Sequence, residues 1–123
     1  MANVNPKDAQ LVNEHLVQCL RDSVMVQNQT QIVHWGLLGS KFYQIHLLTG
    51  DIQTDMVEGI DNIAEHIRSI NIMTPDSVVD LLSSRIKDID ITDPFDQDKI
   101  ILDLSVAHDM LGNLFCCFEF TVR

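Results

Sequence analysis

The residues of this chain best suited to chemistry lie in one stretch, "IVHWGLLGSKFYQIHLLTGDIQTDMVEGIDNIAEHI". It carries His34 and His46, twelve residues apart, and then Asp61 and Glu65, four apart. Imidazole and carboxylate together form a ligand set that suits Fe(II), and also Mn or Zn. Asp61 and Glu65 stand at i and i+4, so on a helix they share one face and could grip a cation between them. His46 lies fifteen residues before Asp61, which is about 22 Å along a helix axis at 1.5 Å per residue. A metal–ligand bond spans only about 2 Å, so His46 cannot share a metal with this carboxylate pair inside one chain. His34 precedes the Gly36–Gly39 break and His46 follows it, so in an antiparallel helix pair the two imidazoles are level. The chain thus holds a two-histidine half-site and a two-carboxylate half-site. A twofold axis through the middle of the second helix would join the halves of two copies into two identical sites. Four such ligands leave coordination positions open for an oxidant. Taken singly, a helical histidine is more often a surface or satisfied core residue than a ligand, and an Asp/Glu pair more often a solvated face. His15, His66 and His108 belong to no such constellation.

The elements that must position these residues are helical. "NPKD", "TPDS" and "DPFD" each offer a capping residue (Asn5, Thr74, Asp93), a proline for the first turn and an acid for the positive end of the helix dipole. The first helix is expected from Pro6 to about His34, with Val12, Leu16, Cys19, Leu20 and Val24 as its apolar stripe. The second is expected from about Lys41 to Ser69, with Phe42, Ile45, Ile52, Met56, Ile60, Ile63 and Ile67. Gly50 and Gly59 inside it each cost about 1 kcal/mol relative to alanine, which points to a reason other than propensity, such as close helix packing. A short helix from Pro75 to about Ser83, a loop, and a last helix from Pro94 complete the chain. Ile100, Ile101, Leu104, Leu111, Leu114, Phe115 and Phe118 form the apolar positions of that last helix. "LFCCFEFTV" at its end is apolar nearly all round and needs protein on every side, so a fourth helix or a partner chain is expected to cover it.

Composition narrows the function classes. A chain of 123 residues suits one all-α domain. Nothing resembles a signal peptide or a membrane span, and Cys19, Cys116 and Cys117 make a poor disulfide framework, so the expected location is the cytoplasm. The net charge is −10, with only 8 lysines and arginines, which opposes DNA binding and favours cations. Glu-x-x-His, the mark of a di-iron site inside a single bundle, is absent. The nucleotide-binding glycine motifs are absent as well.

His34–Trp35, Gly39, Phe42 and His46, followed by Asp61 and "AEHIR", resemble the Dps family, the starvation-induced miniferritins. The family segment reads H-W-x-x-x-G-x-x-F-x-x-x-H and, fifteen residues later, D-x-x-A-E-R. Here it stands as "HWGLLGSKFYQIH" and "DNIAEH". The resemblance implies a ferritin-like four-helix bundle assembled into a hollow dodecamer. It implies ferroxidase sites at twofold interfaces, where Fe(II) is oxidised by hydrogen peroxide or oxygen and stored, protecting the cell from oxidative damage. His34, His46, Asp61 and Glu65 match the family's iron ligands, and Trp35 matches the tryptophan that intercepts radicals or electrons beside the site. Three departures stand out. Gly50 occupies the place of an acidic ligand, and the adjacent Asp51 is rotated by about 100° around the helix. The chain stops where the family's third long helix ends, so residues 1–123 are read as one ferritin-like domain without its C-terminal helix. No lysine-rich tail is present.

The expected function is iron oxidation and storage of the Dps type. The alternative is a degenerate structural relative with weak or no ferroxidase activity. Duplex DNA titrated with the protein at physiological salt is expected to show no gel retardation, and a salt-sensitive shift would contradict the charge argument.

Overall fold

The computed structural model describes residues 6–122, with side chains described as far as residue 113. The expected cap Asn5 lies outside that range. So do the side chains of the apolar run 114–122, including Cys116 and Cys117. Four helices follow in order: α1 Pro6–Gly36, α2 Phe42–Ser69, α3 Val78–Leu81 and α4 Gln97–Val122. The three long helices match the expected layout. Two boundaries shift. The short helix is capped by Ser77, whose hydroxyl accepts from the Asp80 backbone N–H at 3.1 Å, rather than by Thr74. The last helix begins at Gln97, because Asp93 spends its carboxylate on the Phe95 N–H in a tight turn at 3.0 Å.

α1 is the central element. Its backbone runs close to both α2 and α4, and Ile45 and Met56 of α2 reach the core that α4 shares. Its two ends serve two cores. Leu16, Leu20 and Val24 join Ile67 of α2. Val26, Val33 and Leu37 join Ile86, Ile89, Ile100, Leu104, Ala107 and Leu111. This is a four-helix bundle with one position open. An apolar groove of about 290 Å³ runs between α2 and α4, lined by Ile45, Leu48, Ile52, Ile101, Leu104 and His108 among others. The amphipathic stripe of α2 is correspondingly undercovered, since only Thr49 and Ile67 of its 28 residues are fully buried.

The turn between α1 and α2 is set from outside. Gly39 takes φ +113, which glycine adopts without steric cost. A Cβ there would also stand 2.8 Å from the Gln97 carboxamide. Gln97 instead caps α2 from across the bundle, accepting the Lys41 N–H at 2.5 Å, and Lys41 pairs with Asp98 at 2.7 Å. α2 ends in a Schellman motif: Asn71 sits in the left-handed region with φ 64, Ile72 N–H reaches Ile67 O and Asn71 N–H reaches Arg68 O.

The irregular segment before α4 is anchored by polar side chains of α1. Asp22, fully buried, accepts from Gln18, the Ser84 hydroxyl, the Arg85 N–H and the Arg85 guanidinium at 2.7 Å. Gln29 donates to Lys87 O at 2.7 Å. Arg21 grips the Asp80 carboxylate and carbonyl of α3. Burial pushes the Asp22 carboxyl up, but hydrogen bonds from Arg85, Ser84 and Gln18 outweigh it and leave it below its ordinary value. Breaking a buried pair by deleting one partner costs on the order of 3 kcal/mol. Arg85→Met is therefore expected to lower the unfolding free energy measured in urea by roughly that amount at neutral pH. A carboxyl depressed in the folded state stabilises above its unfolded value and loses that contribution as pH falls through the folded one. The wild-type advantage should therefore begin to shrink below about pH 3.9 and disappear as pH falls through the lower folded value; an equal deficit at all pH values would contradict this role.

Candidate metal centre

His34 comes from the last turn of α1 and His46 from the second turn of α2. The intervening turn brings their rings into a stack, 3.9 Å between centroids and 14° from parallel. Phe42, one turn before His46, tilts against the His46 ring at 5.1 Å. The His34 ring also lies against the backbone of Gly50, where a Cβ would stand 3.3 Å from its Cε1. The expectation of close packing therefore holds at Gly50. It fails at Gly59, where a Cβ would meet nothing within 4 Å in the chain's own described residues.

Hydrogen bonds identify the free ring nitrogens. His46 Nδ1 lies 3.0 Å from the His34 backbone carbonyl, which can only accept, so Nδ1 carries the proton. His34 Nδ1 lies 2.9 Å from Thr49 Oγ1. Thr49 spends its one hydroxyl proton on Ile45 O at 2.6 Å, so it accepts from His34. In the neutral form both imidazoles therefore keep Nδ1–H and leave Nε2 with an open lone pair. That is how a metal-binding histidine is prepared, with the second nitrogen tied to a carbonyl or similar acceptor.

Asp61 and Glu65 sit further along α2, both exposed. His34 is level with Gly50, eleven residues before Asp61, about 16 Å along the axis. His46 is farther still. Among the described residues no group of three or more His, Cys, Asp or Glu side chains converges to hold a metal. One chain brings the two imidazoles together and keeps them apart from the two carboxylates. Trp35, next to His34, is 69% exposed. Leu38, Tyr43, Leu47 and Leu48 are also exposed at this end. So large an apolar surface beside polar candidates is typical of an interaction face.

His108 is satisfied structurally: its Nε2 is hydrogen-bonded with Thr30 Oγ1 at 3.0 Å, and burial holds its pKa below the ordinary value, against the opposing charge of Asp109. Thr49 is the site residue that the spacing argument missed. A threonine inside a helix has no motif of its own, and only its position three residues after His46 and beside Gly50 could have flagged it.

No known family's sequence pattern matches the chain, and no curated protein sequence matches it. Solved structures do. Dps from Vibrio cholerae O1, described as a member of a broad superfamily of ferritin-like diiron-carboxylate proteins, superposes with TM-score 0.83 at 22% identity over 97% of this chain and 74% of its own. Antigen TpF1 from Treponema pallidum gives 0.85 at 20%, over 98% and 78%. Dps from Listeria monocytogenes gives 0.80 at 18%, over 87% and 70%. The chain has the ferritin-like fold of the Dps proteins. At such identities the likeness lies in the path of the helices, and the ligand assignment rests on this chain's own side chains.

Alanine at an open helical site is expected to gain about 1 kcal/mol over glycine. Gly59→Ala should approach that gain in urea unfolding. Gly50→Ala should fall short of it, because the new methyl crowds His34. Equal gains at both positions would contradict the close approach.

Proposed function

We propose that this protein binds and oxidises ferrous iron in the manner of the Dps proteins. Its sites form between two copies, with His34 and His46 from one chain and Asp61 and Glu65 from the other. The observation that carries this reading is the pair of stacked imidazoles, both with Nε2 open, on a chain whose nearest suitable carboxylates lie beyond reach along the same helix. An antiparallel contact of two α2 helices about their midpoint sets the imidazoles of each beside the carboxylates of its mate. The exposed Trp35 and neighbouring apolar side chains suit the contact.

Iron is the substrate. Two ferrous ions each give one electron to one hydrogen peroxide, whose O–O bond breaks to leave two hydroxides and two ferric ions. The imidazoles hold the cation without adding charge, and the carboxylates favour the ferric product. Trp35 is placed to intercept stray one-electron oxidants. Assembly into a dodecameric cage and storage of the ferric product in the cytoplasm complete the reading. The −10 charge suits a cation store. No described helix is long and apolar enough to cross a membrane.

Gly50 favours a second reading, a structural relative with little ferroxidase activity, because the site lacks one acidic ligand that the resemblance leads one to expect.

Complementation between variants tests the shared site. His34→Ala and Glu65→Ala homo-oligomers are each expected to oxidise Fe(II) no faster than buffer. When the two are unfolded together and reassembled, half of the twofold pairs are mixed, and each mixed pair regains one intact site. About a quarter of the wild-type activity should return. No recovery would contradict an intersubunit site, and a wild type no faster than buffer would support the second reading.

A further inference from the structure

We propose that Thr49 is a positioning residue that fixes His34 in its ligand-ready tautomer, and that Gly50 is the space this arrangement needs. The proposal rests on the reading of His34 as a metal ligand. Thr49 is 1% exposed, and its hydroxyl is oriented by the helix itself, donating to Ile45 O at 2.6 Å and lying 3.2 Å from His46 O. With its single proton committed, the oxygen offers only lone pairs, and His34 Nδ1 meets it at 2.9 Å.

The ring is confined on three sides. Thr49 holds Nδ1, His46 covers one face at 3.9 Å, and Gly50 lies beside Cε1, the carbon between the two nitrogens. A side chain at position 50 would start 3.3 Å from that carbon and crowd the ring. Thr49 and Gly50 therefore act as one device, a hydrogen-bond acceptor with a gap beside it. This gives position 50 a physical role where the resemblance leads one to expect a carboxylate. The plain alternative is a threonine that merely bonds back to its own helix, as threonines inside helices often do.

Thr49→Val keeps the side-chain shape and removes the acceptor; Thr49→Ser keeps the acceptor. The readouts are the His34 tautomer, from nitrogen-15 NMR of the metal-free protein in alkaline buffer, and Zn²⁺ affinity by competition with a chelating dye. The wild type is expected to carry the His34 proton on Nδ1. Thr49→Val should move it mainly to Nε2, the form favoured by a free imidazole, and weaken Zn²⁺ binding by about 10- to 100-fold. Thr49→Ser should restore both. Wild-type tautomer and affinity in Thr49→Val would overturn the proposal. So would a wild-type proton on Nε2, a result that needs no variant to fold. If His34→Ala leaves Zn²⁺ binding intact while the tautomer depends on Thr49, the ligand reading itself fails, and this role for Thr49 fails with it.

Discussion

A metal ion accepts ligands only within about 2 Å, and a straight helix cannot bring together side chains separated by several of its own turns. That constraint governs the interpretation of this protein. α2 holds His46 near one end and Asp61 and Glu65 toward the other, and no fold of a single copy shortens the distance between them. The turn at Gly39 does what a turn can do, setting the end of α1 beside the start of α2 and stacking His34 on His46. In the proposed site the carboxylates come from a second molecule, which the twofold symmetry common among oligomers would supply at no cost in sequence.

The packing is consistent with a chain built for association. α1 packs on both α2 and α4 and fastens the segment before α4 through Asp22 and Gln29. α2 leaves most of its apolar stripe half-buried, and the groove between α2 and α4 stays open. α2 also keeps Tyr43, Leu47, Leu48 and Val57 exposed. It is suited to covering another helix, and the histidines lie on the end that α1 has already made rigid.

Much of this was legible in the sequence, because the strongest signals are periodic. Val12, Leu16, Leu20 and Val24 repeat at helical steps, and α1 follows them. The break at Gly36–Gly39 announced the turn, and the turn determined which histidines meet. What stayed hidden depends on contacts between distant residues. Ser77 rather than Thr74 caps α3, since a proline after a threonine permits a helix without requiring one. Gln97 caps α2 from fifty-six positions away, and Asp22 meets Arg85 across sixty-three; no local pattern marks either. Gly50 and Gly59 looked alike in sequence, and only three-dimensional neighbours separated them. Thr49 escaped notice because its importance comes from where the His34 ring arrives.

The most direct test of the central claim is a crystal structure of the protein soaked with cobalt and located by anomalous scattering. The account predicts one site per chain at the twofold contact. There the metal would lie about 2.0–2.2 Å from Nε2 of His34 or His46 of one copy and from carboxylate oxygens of Asp61 or Glu65 of the other. Cobalt held by the imidazoles with no acidic oxygen from a second chain, or by the carboxylate pair alone, would contradict it.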